Sequence, residues 1–463
     1  MTVRALDSIT SEGELRRRAI HVLLTNWTGT YTVPSRTLYP HQWSWDSAFI
    51  AVGTARWSPR RARTELLTLF GGQWIDGRVP HIVFNPAVPP DAYFPGPEFW
   101  GARAPSGART SGIVQPPVHA MAAWRVHLAE PDRAFLRRLY PWLAAQHRYL
   151  REARRMSGTD LVSIVHPWES GMDNSPAWDG PLAAVPAPPI GERRRDLAHI
   201  VAAERPTDRD YERYIELARA YRDGGYTGAT AFVVEDPMFN AVYGAAEADL
   251  ARIAAVCGAD PTPHLRRAEE ITQALLDRLW DEENGIFHAR DVVTGELLPA
   301  DSVSGLVPLI LPGLPADVAD RLIATAVDRF GLGDHLLPSY PPGGPAFELS
   351  RYWRGPSWIN TAWLVLQGLR SRDPDLAAKL TAGMMEAVAT AGFREYFDPI
   401  TSEGHGCRDF SWSAALLLDV LVPSAAPPGV EDGLDAVLAA PSDLDEEARS
   451  LVEGDDIGVK VLT

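Results

Sequence analysis

The sequence has 463 residues, of which 46% are hydrophobic and 22% are charged. This length exceeds that of a usual domain, so we expect either two or three domains or one large single-domain toroid or barrel. The formal net charge is −16, and no basic cluster of the kind that neutralises phosphates occurs, which argues against nucleic acid as a substrate or partner. Residues 424–463 contain ten acidic residues but only Arg449 and Lys460 as basic ones, so we interpret them as a solvated acidic tail.

Cysteine content and hydropathy limit the cellular context. Cys257 and Cys407 are too few for a disulfide framework or a thiolate metal site. The first ten residues, MTVRALDSIT, lack the apolar core of a secretory signal, and no apolar run approaches the ~18 residues of a membrane span. The sequence therefore predicts a soluble, cytoplasmic protein without a membrane partner.

Apolar residues recur at helical spacing along most of the chain. The first predicted helix follows a capping box formed by Ser11 and Glu14. The second begins at Ser58–Pro59, with the serine as N-cap and the proline in the first turn. Further helices are predicted at residues 116–129, 132–155, 208–222, 237–257, 261–281, 315–330, 356–371, 374–391 and 407–421, and residues 45–55 and 301–311 are candidates for two more.

The predicted fold class is all-α. Alternation with a period of two residues is scarce, so no large sheet is expected. About twelve amphipathic helices in one domain are most economically buried as two ring-like layers, an (α/α)6 toroid. We therefore expect one helical domain at residues 1–423, followed by the acidic tail at residues 424–463. No repeat of fixed period occurs, which argues against a solenoid.

Two loops are too long to serve only as connections. Residues 79–117 contain nine prolines and the aromatic residues Tyr93, Phe94, Phe99 and Trp100. Residues 174–206 are rich in proline, alanine and arginine. Long loops in compact proteins are commonly lids or binding loops, or else disordered. The aromatic residues favour a binding lid for the first loop, while the second is consistent with either role.

A segment rich in carboxylates and tryptophan interrupts the helical pattern at residues 168–179, WESGMDNSPAWD. Gly171 permits a sharp turn that would hold the Asp173 carboxyl against apolar neighbours such as Trp168 or Met172. Burial there would raise the pKa of Asp173 toward the value that a general acid needs at neutral pH. The alternative is a structural turn in which Asp173 caps the following Asn-Ser-Pro.

Two other segments combine aromatic rings with polar groups. Residues 39–46, YPHQWSWD, precede a helix that Asp46 could cap, and their tryptophans suit the core as well as a pocket wall. Residues 352–360, YWRGPSWIN, place Arg354 beside two indole rings. A guanidinium that stacks on aromatic faces and donates in a fixed fork suits a sugar subsite, while packing at a helix N-terminus is the structural alternative.

A fourth segment, residues 393–412, reads FREYFDPITSEGHGCRDFSW. It offers Glu395, Asp398, Glu403 and Asp409 in a glycine-punctuated stretch before a helix. At least one of these carboxylates is expected to face solvent or a ligand. Composition alone does not choose among them.

Taken together and in this order, the motifs resemble those of glycoside hydrolase family 63: WSWDSAF, WESGMDNSP, YWRGPSWIN and EYFDPITSEGHG…FSWSAAL. The resemblance spans roughly residues 15–422 and implies an inverting α-glycosidase on an (α/α)6 toroid related to trehalases. The compact length resembles most the bacterial members of the family that hydrolyse mannosylglycerate and glucosylglycerate. The motifs LYPHQWSWDSAF, VPHIVF, YFPGP and DPMFNA point the same way.

The resemblance implies roles for individual residues. Asp173, in the SGMDN loop, is the implied general acid, and Glu395, in EYFDP, is the implied general base. Asp46 is expected to bind sugar hydroxyls, while Arg205 and Tyr211 are expected to clamp a substrate carboxylate. The other expected substrate-binding residues are Tyr39, Trp43, Trp45, Tyr93, Gln115, Trp168, Trp353, Arg354 and Trp358. The remaining carboxylates of these motifs are expected in supporting or bystander roles: Glu169, Asp179 and Glu403.

The implied chemistry uses the two carboxyl groups on opposite faces of the sugar. Asp173 donates a proton to the glycosidic oxygen, and Glu395 activates a water molecule, with the two carboxyl groups ~6.5–9.5 Å apart. This mechanism requires neither a metal nor an organic cofactor. Four histidines lack the spacing of metal ligands and are expected to be structural or pocket residues: His41, His81, His166 and His199.

Two other functions stay open at this point. One is a trehalase-like or α-glucosidase activity on a neutral disaccharide, and the other is a non-catalytic carbohydrate-binding toroid. A binder has no need for both Asp173 and Glu395, which argues against the second. The sequence does not distinguish glucose from mannose, identify the aglycone, or decide whether the chain forms a homo-oligomer.

Overall fold

The computed structural model describes residues 11–191, 194–197 and 200–421, so the acidic tail at residues 424–463 and His199 lie outside the described residues. The described chain is rich in α-helices: α1 (Glu12–Asn26), α2 (Ser44–Thr54), α3 (Pro59–Phe70), α4 (Pro97–Trp100), α5 (His119–Ala129), α6 (Arg133–Ala153), α7 (Asp179–Ala183), α8 (Asp208–Asp223), α9 (Pro237–Cys257), α10 (Thr262–Leu279), α11 (Ala316–Asp328), α12 (Ile359–Arg372), α13 (Pro374–Ala391) and α14 (Ser411–Leu421). Short 3-10 helices occur at Pro167–Ser170, Pro176–Trp178, Ala202–Glu204 and Val303–Ile310. Among the described helices, none combines the length and the apolar character needed to cross a membrane.

The helices predicted from periodicity are confirmed, mostly to within three residues at either end. The predicted helix at 407–421 instead begins at Ser411, because Gly404–Arg408 pairs as a β-strand. Residues 303–310 form a 3-10 helix that contains Pro308, which has no backbone N–H to donate. Ser11 accepts from the N–H of Glu14 as expected, whereas the side chain of Ser58 makes no capping hydrogen bond.

Two kinds of helix make up the fold. Most residues of α2, α9, α12 and α14 are buried on every side, as expected for helices that other elements surround. Helices α3, α6, α10 and α11 instead bury one face and leave the other toward solvent. A continuous hydrophobic core joins the two kinds.

The buried elements contact one another in chain order. Helix α2 packs against α5, α5 against α9, α9 against the 3-10 helix at 303–310, that helix against α12, α12 against α14, and α14 against α2. More exposed helices pack on these elements: α1 on α14, α3 on α2, α6 and α10 on α9, α11 on the 303–310 helix and α13 on α12. Loops at the ends of the buried elements can therefore meet, although they are distant in the sequence.

Short antiparallel strands, which were not predicted, brace these loops. The strands are β1 (Gln42–Trp43), β2 (Ile82–Val83), β3 (Ala102–Arg103), β4 (Arg109–Thr110), β5 (Val234–Glu235), β6 (Trp280–Asp281), β7 (Ile286–Phe287), β8 (Ala289–Asp291), β9 (Leu297–Leu298), β10 (Arg394–Phe397) and β11 (Gly404–Arg408). They form sheets in the orders β1-β2-β4-β3, β5-β8-β9, β6-β7 and β10-β11. Strands of two to five residues are too short to leave a periodic signal in the sequence.

The two long loops contain part of this structure. Residues 79–117 contain β2, α4, β3 and β4, whose sheet pairs Trp43 with Ile82. The described part of residues 174–206 contains α7 and two 3-10 helices. The described parts of both segments therefore contain more regular structure than was predicted for long loops.

Helices α2 and α14 approach closely at Gly53, where an added Cβ would overlap the backbone carbonyl of Ala415. We expect Gly53→Ala to destabilise the protein by about 1–3 kcal/mol, since the two backbones would have to separate. Gly13→Ala is the matched control, because Gly13 lies in α1 with only ordinary contacts around its Cβ position. Thermal unfolding tests the pair: equal midpoints for the two variants would contradict the close approach.

Candidate active site

A cavity of about 760 Å³, including its open mouth, brings together residues from distant parts of the sequence. The cavity is lined by Pro34, Tyr39, Trp43, Trp45, Asp46, His81, Tyr93, Gln115, Trp168, Gly171, Asp173, Asp196, Arg205, Pro206, Tyr211, Tyr352, Trp353, Trp358, Glu395, Phe410 and Trp412. Every site residue expected from the sequence lines this cavity except Arg354.

The loop that carries Asp173 is held by its own neighbours. Gly171 has a φ of +75°, and an added Cβ would overlap the ring of Trp45, so both conformation and space require glycine. The carbonyl of Met172 accepts from the indole of Trp178 at 2.7 Å. The carbonyl of Asp173 accepts from the hydroxyl of Tyr214 at 2.8 Å. Hydrogen bonds to two consecutive carbonyl groups therefore fix the backbone position of Asp173.

The environment of Asp173 favours the protonated acid. Burial raises its pKa from 3.8 to about 7, and the negative charges of Asp196 and Glu395 act in the same direction. Its own backbone N–H and the guanidinium of Arg205 oppose the shift. A carboxyl group that is protonated near neutral pH and lines a cavity is suited to donate a proton. The alternative of a purely structural turn does not explain why this side chain lines the cavity.

Glu395 lies in β10, opposite an irregularity of the sheet. Arg394 pairs with Arg408 and Tyr396 with His405, so β11 has one residue more than β10 between these pairs. The extra residue creates a β-bulge at Gly406, which has a φ of +64°. A Cβ at Gly406 would overlap the Glu395 carboxylate. The next residue, Cys407, donates its N–H to Glu395 Oε2 at 2.9 Å.

Arg205 and Tyr39 complete the contacts of Glu395. Arg205 Nη2 donates to Glu395 Oε2 at 2.8 Å, and Nη1 donates to Oε1 at 3.3 Å. Tyr39 donates its hydroxyl to Oε1 at 2.8 Å and accepts from Arg205 Nη1 at 2.9 Å. The arginine expected to bind a substrate carboxylate is thus paired, in this structure, with the carboxylate expected to act as the base.

Asp46 presents a third carboxyl group to the cavity. It lies in the first turn of α2, whose N-cap is Trp43, so the interpretation of Asp46 as the helix cap is wrong. Burial raises its pKa well above the ordinary value; its own backbone N–H opposes this shift, and the charges of Glu395 and Glu65 add to it. A buried carboxyl group of this kind can bind sugar hydroxyls as donor or acceptor.

The other carboxylates of the motifs have structural contacts. Glu169 is fully buried, accepts from both Nη atoms of Arg154 at 2.6 Å, and caps two backbone N–H groups. Asp398 accepts from the N–H groups of residues 400 and 401, which closes the turn between β10 and β11. Glu403 and Asp409 are exposed and do not line the cavity. These contacts explain why only Glu395, among the carboxylates of its segment, faces the cavity.

Arg354 is placed differently from the expectation. Its guanidinium donates to both carboxylate oxygens of Asp179, at 2.8 and 2.7 Å, and lies 3.4 Å from Glu348. It is not among the residues that line the cavity. Trp353 and Trp358, which flank Arg354 in the sequence, do line the cavity. Their indole rings stack on each other with centroids 3.8 Å apart.

Aromatic rings form much of the cavity wall. Trp43 packs edge-on against Tyr93, with ring centroids 5.1 Å apart. Trp45 packs edge-on against Trp412 at 5.4 Å. The sequence left open whether Trp43 and Trp45 belong to the core or to a pocket wall. In the structure both side chains are buried, and both line the cavity. Flat apolar surfaces beside polar groups are suited to stack against the faces of a sugar ring.

Several lining residues were not singled out from the sequence: Pro34, Asp196, Pro206, Tyr352, Phe410 and Trp412. His81, which was expected to be a structural or pocket residue, also lines the cavity. Tyr352 and Trp412 belong to the quoted motifs YWRGPSWIN and FSW, so motif membership would have found them. Asp196 lies in a loop without a recognisable pattern, and its carboxylate pairs with Arg194 at 2.5 Å. No signal in the sequence distinguishes it.

The histidines of the motifs have structural partners. His81 Nδ1 lies 2.6 Å from the hydroxyl of Ser111, and burial lowers its pKa well below the ordinary value. His41 accepts from the N–H of Asn85, and burial lowers its pKa to about 4. His166 contacts the carbonyl of Tyr214, and burial likewise lowers its pKa to about 4. Within the described chain, no three His, Cys, Asp or Glu residues are grouped to hold a metal ion.

Comparison with known proteins defines the class of protein as a glycoside hydrolase. Residues 39–413 match the family model described as the mannosylglycerate hydrolase MGH1-like glycoside hydrolase domain. The chain belongs to this family, which confirms the resemblance to glycoside hydrolase family 63. The alternative of a non-catalytic carbohydrate-binding protein is therefore set aside.

Individual relatives cover nearly all of the described chain. A mannosylglycerate hydrolase of Thermus thermophilus is 44% identical in an alignment 416 residues long, which covers 87% of this chain and 99% of the relative. A glucosylglycerate hydrolase of Mycolicibacterium hassiacum is 36% identical in an alignment 442 residues long, which covers 88% of this chain and 98% of the relative. The crystal structure of a family 63 mannosylglycerate hydrolase from Thermus thermophilus, in complex with Tris and D-glycerate, superposes with a TM-score of 0.82 at 43% identity and covers 88% of this chain and 99% of that chain.

The shifted pKa of Asp173 has a consequence for stability. Between pH 4 and 7 the folded protein binds a proton that the unfolded chain lacks, so this group makes the protein less stable as the pH rises through that window. Asp173→Asn removes this dependence, so its effect on the free energy of unfolding should be more favourable at pH 8 than at pH 4, by roughly 3–4 kcal/mol for a shift of about three pKa units. Denaturant unfolding at the two pH values measures the difference.

The matched control for this stability experiment is Glu403→Gln, which removes an exposed carboxylate of a neighbouring loop. It should leave the pH dependence of stability unchanged. If Asp173→Asn and the wild-type protein lose stability equally between pH 4 and 8, the Asp173 carboxyl titrates normally.

Proposed function

We propose that the protein is an inverting α-glycosidase that hydrolyses glucosylglycerate or mannosylglycerate to the sugar and glycerate. The observation that carries this proposal is one aromatic cavity in which the carboxyl groups of Asp173 and Glu395 lie in different environments. Asp173 has a pKa raised by burial, and Glu395 is paired with Arg205. Relatives that are 36% and 44% identical along their whole lengths carry the names of hydrolases for these two substrates.

We infer an (α/α)6 toroid as the scaffold. Contacts among α2, α5, α9, the 303–310 helix, α12 and α14 return to their starting point, as expected for an inner ring. Helices α1, α3, α6, α10, α11 and α13 pack outside them, as expected for an outer ring. A neutral trehalase from Saccharomyces cerevisiae, 18% identical with a TM-score of 0.51, supports the same fold.

The segments 79–117 and 174–206 form the lid in this proposal. Tyr93 and Gln115 of the first segment and Arg205 of the second line the cavity. Arg195 and Asp91 join the two segments through an ion pair at 2.9 Å. A substrate enclosed by both segments would react out of contact with bulk water.

The reaction follows from the two carboxyl groups. Asp173 donates its proton to the glycosidic oxygen as the bond to the anomeric carbon breaks, and the leaving group departs as an alcohol. Glu395 accepts a proton from the water that attacks the opposite face, so the configuration at the anomeric carbon inverts. Asp46 binds hydroxyls of the sugar at the cleaved bond. Trp168, Trp353 and Trp358 form the walls around it.

Arg205 serves two carboxylates in this proposal. A guanidinium has five N–H donors. Arg205 Nη1 donates to Tyr39 and Glu395, and Nη2 donates to Glu395. Its Nε is buried and donates to no described residue. A glycerate carboxylate would therefore share the guanidinium with Glu395, assisted by Tyr211 and Gln115.

A neutral α-disaccharide is the second candidate substrate. The observation in its favour is the pairing of Arg205 with Glu395, which already satisfies the charge of this guanidinium inside the protein. A neutral substrate would leave that ion pair undisturbed. The preference between glycerate glycosides and trehalose thus depends on whether the N–H groups of Arg205 bind only Glu395 and Tyr39 or also bind a substrate carboxylate.

A substrate panel tests the proposal. The protein is incubated with glucosylglycerate, mannosylglycerate and trehalose, and NMR identifies the anomer of the sugar before it mutarotates. We expect at least one glycerate glycoside to react about 10²-fold faster than trehalose, because the site is built around a carboxylate-binding guanidinium. The β-anomer should appear first. The variants Asp173→Asn and Glu395→Gln should lower kcat by about 10²–10⁴-fold.

Glu403→Gln is the control in this panel and should keep the wild-type rate. Trehalose as the preferred substrate would favour the second candidate. With a glycerate glycoside as the substrate, initial release of the α-anomer, or full activity of Asp173→Asn, would refute the inverting mechanism with Asp173 as the acid.

A further inference from the structure

The residue that follows Asp173 is attached to a second segment of the cavity wall. Asn174 is buried, and its side-chain oxygen accepts from the backbone N–H of Trp353 at 2.9 Å. Its backbone carbonyl lies 3.4 Å from Arg354 Nη1. Asn174 and Arg354 are 180 residues apart in sequence. These contacts therefore fix the position of residues 168–179, which carry Asp173 and are called the acid loop below, relative to the segment 352–358.

Arg354 holds the acid loop at a second point. Its two Nη atoms donate to the two oxygens of Asp179, at 2.8 and 2.7 Å, in a planar fork. Asp179 is the first residue of α7, five residues after Asn174. One guanidinium therefore contacts both ends of the stretch 174–179. A lysine could not reproduce this arrangement, because its single ammonium has no fork.

We propose that Arg354 and Asn174 are positioning residues for the acid Asp173. They hold the acid loop against the indole stack of Trp353 and Trp358, so that the Asp173 carboxyl stays within reach of the glycosidic oxygen. Neither lines the cavity, and both act through Asp173. The inference rests on the proposed function, in which Asp173 protonates the leaving group.

Loss of these contacts is expected to affect the reaction rate more than the stability of the fold. General acid catalysis needs hydrogen-bond reach between donor and acceptor, and a displacement of about 1 Å can lower the rate ~10²-fold. The side chain of Asp179 is 57% exposed, and ion pairs with an exposed partner add little to stability. Removal of Arg354 should thus affect proton donation more than folding.

The dependence of the rate on the leaving group distinguishes a positioning role from a general loss of activity. Glycerate leaves as an alcohol and needs the proton of Asp173, whereas 2,4-dinitrophenolate leaves without one. The rates of Arg354→Ala and Asn174→Ala are therefore compared on the glycerate glycoside that the enzyme accepts and on the 2,4-dinitrophenyl α-glycoside of the same sugar. We expect kcat to fall ~10–100-fold on the first and less than ~3-fold on the second, with KM nearly unchanged.

Two variants sharpen the comparison. Arg354→Lys keeps the charge without the fork, so its kcat on the glycerate glycoside should lie between those of the wild type and Arg354→Ala. Arg351→Ala is the matched control, since Arg351 lies three residues away and pairs with Glu348 but not with the acid loop. It should behave as the wild type on both substrates. Thermal unfolding shows that each variant is folded.

Asp173→Asn distinguishes a failure of this inference from a failure of the proposed function. If Asp173→Asn loses activity equally on both substrates, the assignment of Asp173 as the acid fails. If Asp173→Asn spares only the dinitrophenyl substrate, while Arg354→Ala and Asn174→Ala slow both substrates equally or neither, the positioning role is overturned.

Discussion

The ion pair of Arg205 and Glu395 is the interaction on which the cavity depends. Only 2% and 1% of the two side chains are exposed, so both charges have lost most of their hydration. Such a pair is stable only when further donors satisfy the carboxylate, since the Coulomb attraction alone does not offset the desolvation. The hydroxyl of Tyr39 and the N–H of Cys407 provide these donors. Three segments distant in sequence must therefore meet at one carboxylate.

The loop that carries Arg205 is held by the same sheet that carries Glu395. Glu204 accepts from the N–H of Gly406 at 3.2 Å and contacts His405, and its carbonyl accepts from the hydroxyl of Tyr396. The bulge in β11 thus fixes Glu395 on one side and the loop of Arg205 on the other. Any movement of this loop would change the charge that faces Glu395, so loop position and the proposed chemistry are coupled.

The sequence predicted the helices well because their signal is local. A helix that packs by one face repeats its apolar residues every three or four positions, and caps such as Ser11 mark where it begins. The burial of the Asp173 carboxyl could also be predicted, since Gly171 and the surrounding tryptophans already indicate a turn that buries a carboxyl group. Glu395 could not be chosen from composition alone among four carboxylates, and the choice came from the resemblance to a family.

Other features depend on contacts between distant segments. The guanidinium of Arg354 lies beside two indole rings in the sequence, yet it turns away from the cavity toward Asp179, which is 175 residues earlier. The bulge at Gly406 arises only when β10 pairs with β11, because it is a mismatch in the register of two strands. No pattern in one strand alone indicates such a mismatch. Asp196 enters the cavity through a loop position that no periodicity predicts.

The central claim is that the Asp173 carboxyl, in a cavity that it shares with Glu395, is still partly protonated near neutral pH because burial raises its pKa to about 7. Difference infrared spectroscopy of the wild-type protein and Asp173→Asn, recorded across a pH titration, observes this group directly. The account predicts that the carbonyl band of a protonated carboxyl is present at pH 6, belongs to Asp173, and is lost with a midpoint near 7. A carboxylate band already fully developed at pH 5 would contradict it.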